Sequence, residues 1–175
     1  MKKSACVVII KDGFVLTVSR KDNYLDIGLP GGKVDFGETI EAGAIRECLE
    51  ETGYTVSILK DGFSPFVKND GMFEVTTFIA SINEDINRVD INEEETGIVD
   101  WKDPRELLEG TFSEYNTDML MYYGLIKKYV ITYNGPGIVD DIVLSTSKTE
   151  AIKDFIKRNK GRFNVLKCEE LIKTL

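Results

Sequence analysis

The sequence predicts an α/β domain followed by a small ββαβ appendage, and three observations carry that expectation. Up to about residue 128, short β-branched and aromatic runs alternate with helically periodic segments in the order β-β-α-β-β-β-α-α. A Gly-Gly loop, Gly31-Gly32, leads into one well-delimited helix. Beyond residue 128 a second set of strand, turn and capping signals begins. A chain of 175 residues is long enough for one ordinary domain with a real core and a small appendage, so the expected division is 1–128 and 129–175.

Taken in order, Ala5 to Ile10 and Phe14 to Ser19 are strand-like runs about a Lys11-Asp12-Gly13 turn, which reads as a hairpin. The N-terminal apolar run is too short for a signal peptide and breaks at Lys11 without a cleavage site. Arg20 to Leu29 is polar and reads as an irregular loop entering Pro30-Gly31-Gly32. The helix that follows starts at Thr39, a suitable N-cap, and stops at Gly53, with Ile40, Ala44, Ile45, Cys48 and Leu49 forming the expected buried face.

Thr55 to Phe66 and Met72 to Ile82 are further extended runs about Lys68-Asn69-Asp70-Gly71. Asn83 to Gly97 is an acidic loop, and Ile98 to Trp101 a strand. Asp103, Pro104 and Glu106 form a capping box that opens a short helix. A second long helix is expected from Asn116, with Met119, Leu120, Tyr123, Ile126 and Lys127 at helical spacing. In the appendage, Tyr129 to Tyr133 and Ile138 to Thr146 read as strands, Ser147 and Glu150 open a helix to about Asn159, and Phe163 to Cys168 reads as a third strand. Glu169 to Leu175 reads as a last helical turn or two. Its core is too small to stand alone, so it is expected to form an outer wall or a homodimer contact.

Composition narrows the chemistry. Histidine is absent, which excludes Ser-His-Asp and Cys-His catalysis and histidine-ligated metals. Cys6, Cys48 and Cys168 form no CxxC pair and read as free thiols of a reducing cytoplasm. No apolar run approaches a membrane span. Residues 1–128 carry 14 Lys and Arg against 24 Asp and Glu, while residues 129–175 carry 8 against 6. So acidic a body disfavours long nucleic acid and suits a small phosphorylated ligand delivered with its metal. The basic helix Lys148, Lys153, Lys157, Arg158, Lys160 and Arg162 reads as a solvated face or a contact for an anionic partner.

The outer face of the first helix is costly as structure alone. Glu47, Glu50 and Glu51 stand at i, i+3 and i+4 and repel one another by a few tenths of a kcal/mol per pair. A cation would reverse that sign, and an oxygen-only donor set suits Mg²⁺ or Mn²⁺ rather than zinc.

Gly32, Glu38, Arg46, Glu47, Glu50, Glu51 and Gly53 fit the pattern G-x5-E-x7-R-E-U-x-E-E-x-G-U, in which U is a bulky apolar residue. Chance would produce these fixed positions on the order of 10⁻⁹ times per starting position. The stretch therefore resembles the Nudix hydrolases; Cys48 and Tyr54 depart mildly, standing where an aliphatic residue is commoner. The resemblance implies an α/β/α sandwich with a small mixed sheet. It also implies that Glu47, Glu50, Glu51 and the Gly31 carbonyl bind divalent metal, that Arg46 orients the carboxylates, and that Glu38 anchors the loop.

The MutT-like branch of that family has a glutamate six residues before a tryptophan and an asparagine fifteen residues after it. Counting from Trp101 gives Glu95 and Asn116. By that resemblance Glu95 is a metal ligand and the general base, with Glu93 or Glu94 as substitutes and Glu47 the base if the loop is placed differently. Asn116 admits two readings, a helix N-cap or an amide that recognises a purine edge. Arg20 is likewise either a phosphate or base contact or a surface arginine. The implied activity is Mg²⁺-dependent hydrolysis of a nucleoside diphosphate linked to another group, foremost a purine nucleoside triphosphate giving monophosphate and pyrophosphate. ADP-ribose, dinucleoside polyphosphates, nucleotide sugars and a non-catalytic nucleotide sensor are the alternatives.

Overall fold

Parallel pairing of β1 (Lys2–Lys11) with β7 (Phe73–Ile82), from Lys2 opposite Phe73 to Ile9 opposite Ala80, forms the spine of the first sheet. The computed structural model describes residues 2–69, 71–91, 96–135 and 137–172. Around the spine the strand order is β3-β2-β1-β7-β5, with β2 at Phe14–Arg20, β3 at Asn23–Gly28 and β5 at Val56–Ile58. Three short strands complete it: β4 (Gly31–Lys33) on β1, β6 (Phe66–Asn69) on β7, and β8 (Val99–Lys102) on β2. All pairings except β1 with β7 are antiparallel, so the sheet is mixed.

Alternation along the strands sends successive side chains to opposite faces. Ala5, Val7 and Ile9 of β1 and Phe78 and Ala80 of β7 pack with Ala44 and Cys48 of α1 (Ile40–Thr52). Each of the larger aliphatic chains buried there stabilises the fold by roughly 1.5–3 kcal/mol. On the other face Thr77 shares a 2.6 Å hydrogen bond with the hydroxyl of Tyr115 in α2 (Ser113–Tyr122), and Phe66 meets the Tyr115 ring edge-on at 5.5 Å. Among the described residues α1 covers one face and α2 the other, which makes the α/β/α sandwich.

Several local expectations differ from the structure. Residues 20–29 are not an irregular loop, because Asn23–Gly28 pairs with β2. The pattern misleads there: the inward residue is Asp26, 7% exposed, while Leu25 is 93% exposed. The run expected from Thr55 to Phe66 is regular at Val56–Ile58 and again only at Phe66, where β6 starts, and Lys68 and Asn69, expected in a turn, pair with Val75 and Glu74. Leu49 lies outside the core at 37% exposure, and Thr52 continues the buried side of α1.

The second long helix begins at Ser113, so Asn116 is inside it and does not cap it. It stops at Tyr122, short of Ile126 and Lys127, because Gly124 turns left-handed at φ 69° and the Leu125 amide closes on the Leu120 carbonyl at 2.8 Å.

The chain divides into two units, Met1–Met119 and Leu120–Leu175. In the second, β9 (Lys127–Asn134) lies between β10 (Ile138–Ser145) and β11 (Asn164–Glu170), all antiparallel. The intervening helix α3 (Lys148–Arg158) packs Ala151 and Phe155 on Tyr129, Ile131, Val143 and Cys168. Glu169 and Glu170 extend β11 instead of starting a helical turn, and residues 173–175 lie outside the described set. Among the described residues no helix is long and apolar enough to cross a membrane.

Candidate active site

The site grows from the two ends of α1. At its start Thr39 Oγ1 accepts the Ala42 amide at 3.1 Å; at its end Gly53 takes φ 72° and donates to the Leu49 carbonyl at 2.8 Å. A Cβ on Gly53 would also strike the Val89 carbonyl oxygen. That close approach fixes the entry of the acidic loop, because Val89 donates to the Gly53 carbonyl and Arg88 to the Thr52 carbonyl, each at 2.8 Å. Its exit is fixed on β2, where the Ile98 amide meets Ser19 Oγ at 2.9 Å and Gly97 packs against the Ser19 carbonyl.

The Gly-Gly loop enters α1's outer face through β4. A Cβ on Gly31 would run into the Ala5 carbonyl and the backbone of Cys6. A Cβ on Gly32 would stand 2.5 Å from the Glu47 carboxylate. Bare backbone therefore lets the loop lie directly beneath the glutamates, and the Gly31 amide donates to Glu51 Oε2 at 2.9 Å.

Arg46 is the hub of the face. Its Nε and Nη2 grip Glu38 at 3.1 and 3.2 Å, its Nη1 reaches Glu47 at 3.0 Å and Glu50 at 3.1 Å, and Nη2 also donates to the Lys33 carbonyl at 2.9 Å. Glu38 in turn accepts the Asp35 amide at 3.1 Å, which ties the loop to the helix. The arginine beside it holds the Glu38 carboxyl below its usual range, and Glu38 foremost raises the Arg46 guanidinium.

The two inner glutamates have the opposite character. Burial raises Glu51 to about 7 against the pull of the Gly31 amide, and the charges of Glu47 and Glu50 add to the rise. Burial also raises Glu47, despite Arg46. Cys6, which packs against Gly31, is pushed up to about 12, foremost by burial and then by Glu51.

Among the described residues no three carboxylate or thiol side chains converge as a ready metal cage. Arg46 engages Glu47 and Glu50, and the Gly31 amide engages Glu51. The donor chemistry nonetheless fits a hard divalent cation: the donors are all oxygen, and Glu51, raised foremost by burial, is met by the Gly31 amide and by no cationic side chain among the described residues.

The structure thus brings together Gly31, Arg46, Glu47, Glu50 and Glu51. Arg20 instead pairs with Asp22 at 3.1 Å and approaches Asp26 at 3.7 Å. Asn116 is 2% exposed, and its side-chain amide donates to the Leu107 carbonyl at 3.2 Å. Glu95, with its substitutes Glu93 and Glu94, lies outside the described residues. Sequence reasoning missed Ser19 as an anchor of the acidic loop, because nothing local marks a contact across that separation.

The NUDIX domain family model matches residues 1–123. A Bacillus subtilis protein named as an 8-oxo-dGTP diphosphatase is 46% identical over 57 residues, which are 32% of this chain and 38% of that protein. An ADP-ribose pyrophosphatase of Methanocaldococcus jannaschii is 46% identical over 48 residues, 26% of this chain and 28% of that protein. The matched segments thus span less than half the length of these curated relatives. In fold, a C. elegans Ap4A hydrolase resembles the chain with a TM-score of 0.51 at 18% identity, covering 70% of this chain and 98% of that one. With the signature residues gathered on α1 and on the loop and cap that flank it, and the domain match spanning most of the chain, the protein belongs to the Nudix family.

Proposed function

We propose that the chain is a divalent-metal-dependent pyrophosphohydrolase that cuts a nucleoside diphosphate linked to another group, with a purine nucleoside triphosphate as the foremost substrate. The observation that carries this reading is the stacking of Glu47 and Glu51 over the Gly31-Gly32 backbone, with Glu50 held beside Glu47 by Arg46 and every fixed carboxylate of the signature present. Glu47, Glu50, Glu51 and the Gly31 carbonyl are the groups that would hold Mg²⁺ or Mn²⁺, joined by Glu95. Such an ion, when bound, neutralises phosphate oxygens and acidifies water.

The chain's own residues have separable tasks. Arg46 fixes the rotamers of Glu47 and Glu50 and sits too deep in carboxylates to be a free phosphate ligand. Glu95 takes the proton of the attacking water, with Glu47 as the substitute base. The purine preference rests on Asn116 matching the MutT-like spacing, and reading a base there requires exchanging its bond to Leu107. Arg20 would reach a phosphate only by leaving Asp22.

ADP-ribose is the second reading, favoured by the M. jannaschii relative whose name carries that substrate. Incubating a panel of nucleoside triphosphates, ADP-ribose, dinucleoside polyphosphates and nucleotide sugars with Mg²⁺, and resolving the products, tests both. Monophosphate and pyrophosphate from purine triphosphates support the first reading. Turnover of ADP-ribose alone supports the second, and binding without turnover overturns the catalytic assignment.

A further inference from the structure

The second unit ends in an open strand edge. Among the described residues β10 pairs only with β9, so alternate residues of Ile138–Ser145 turn their backbone N–H and C=O groups away from their own sheet. A strand of that length at an edge is a template for another strand.

Its side chains divide cleanly. Val143 lies in the core under α3, and Asp141 faces the same way, 3.5 Å from Arg158. By alternation Ile138, Asp140, Ile142 and Leu144 occupy the face opposite α3. Ile138 is 77% exposed and Ile142 56%. Ile142 stands beside Val130 and Leu144 beside Lys128, whereas β11 brings Lys167 and Glu169 to that face. Two exposed isoleucines thus stand along the β10 edge, whereas the β11 edge carries the exposed Leu166 between Val165 and the charged Lys167.

Charged residues usually guard such an edge. Here both acids are tied within the chain, since Asp140 Oδ1 accepts from Thr132 Oγ1 at 2.6 Å and Asp141 pairs with Arg158. The strand contains no Lys, Arg or Pro.

We propose that β10 pairs antiparallel with β10 of a second copy of this chain about a two-fold axis at Ile142, joining two three-stranded sheets into one. Opposed residues of antiparallel strands share a face, so an axis perpendicular to the sheet must pass through a residue. An axis at Asp140 or Asp141 sets a carboxylate against its own copy. An axis at Val143 pairs little beyond Asp141 to Ser145. At Ile142 the paired length runs from Val139 to Ser145, with Asp140 opposite Leu144, Asp141 opposite Val143 and Ile142 opposite itself. No like charges meet, and the exposed isoleucines cover one another.

The test uses the full chain in sedimentation and light scattering. The wild type is expected at twice 19.7 kDa. Ile142→Lys, at an exposed position, is expected to keep its circular dichroism and melting temperature and to fall to 19.7 kDa, because two ammonium groups would meet on the axis. Ile142→Cys supplies an independent arm. Opposed strand residues have Cα atoms about 4.5–5.5 Å apart, within disulfide reach. It should therefore form a covalent dimer on mild oxidation above the wild-type background, while Val139→Cys, whose copy lies across the axis, should not. A monomeric wild type, a dimer that survives Ile142→Lys, or equal cross-linking of the two cysteine variants overturns the proposal.

Discussion

Glu51 and Gly31 are joined by a 2.9 Å hydrogen bond from the glycine amide to the glutamate carboxylate, so the loop and the carboxylate face of α1 are docked on one another. The bond stabilises a carboxylate that burial and two neighbouring glutamates work against. That opposition yields the first prediction.

A carboxyl whose pKa is higher folded than unfolded stabilises the fold fully below its unfolded value and ceases to do so as pH rises through its folded value. For Glu51 that window runs from about 4.5 to about 7, and Glu47 shifts in the same direction. In chelator, the melting temperature should fall across this window by the equivalent of about 3 kcal/mol, roughly 6–12 °C. Glu51→Gln should flatten the profile. Thermal melts at closely spaced pH values decide the point, and equal slopes for the two proteins would remove Glu51 from the account.

Removing Arg46 should cost stability and site geometry together. Arg46→Ala leaves Glu38 without its main partner and releases Glu47 and Glu50. A loss of about 2 kcal/mol is expected from the charged hydrogen bonds. Arg46→Lys should recover little, because an ammonium cannot bridge three carboxylates and a carbonyl with a planar fork. Urea melts of the three proteins measure this, and full recovery by lysine would contradict it.

Gly32→Ala separates site geometry from folding. The added methyl would stand 2.5 Å from the Glu47 carboxylate and must displace it. Hydrolysis should fall roughly 100-fold, the usual effect of a displacement near 1 Å, with an unchanged circular dichroism spectrum. Wild-type turnover in this variant would show that Glu47 need not sit where it does.

Asn116→Ala should lower stability by about 1–3 kcal/mol, because the Leu107 carbonyl loses a buried donor. If Asn116 also recognises a purine, the variant should in addition lose discrimination between purine and pyrimidine triphosphates. Equal losses on every nucleotide, tracking the melting temperature, would assign it a structural role only.

What could be read from the sequence was what is decided locally. The limits of α1 follow from Thr39 and Gly53, and its carboxylate face from spacing along one helix. Strand β3 was hidden because its inward residue is Asp26, which is satisfied by Thr111 from a distant segment through the backbone amide and the hydroxyl. Strand β6 exists only by pairing with β7. The end of α2 was legible in principle at Gly124, but apolar residues beyond it continued the helical period and masked the stop. Val89 and Ile98, which flank the acidic run, are held by Gly53 and Ser19, partners far from them in the chain.

In the proposed function the α1 carboxylates hold the ion on which catalysis depends. The most direct measurement is the rate of Mg²⁺-dependent release of pyrophosphate from a purine nucleoside triphosphate by the wild type and by Glu50→Gln, with circular dichroism as the folding control. Glu50 is the most exposed of the residues held by Arg46 through its side chain apart from Asp35, so its loss should leave the fold intact. The expected result is a folded variant slower by several orders of magnitude, on the scale of a lost catalytic ligand. A folded Glu50→Gln protein with near wild-type, Mg²⁺-dependent turnover would contradict the account.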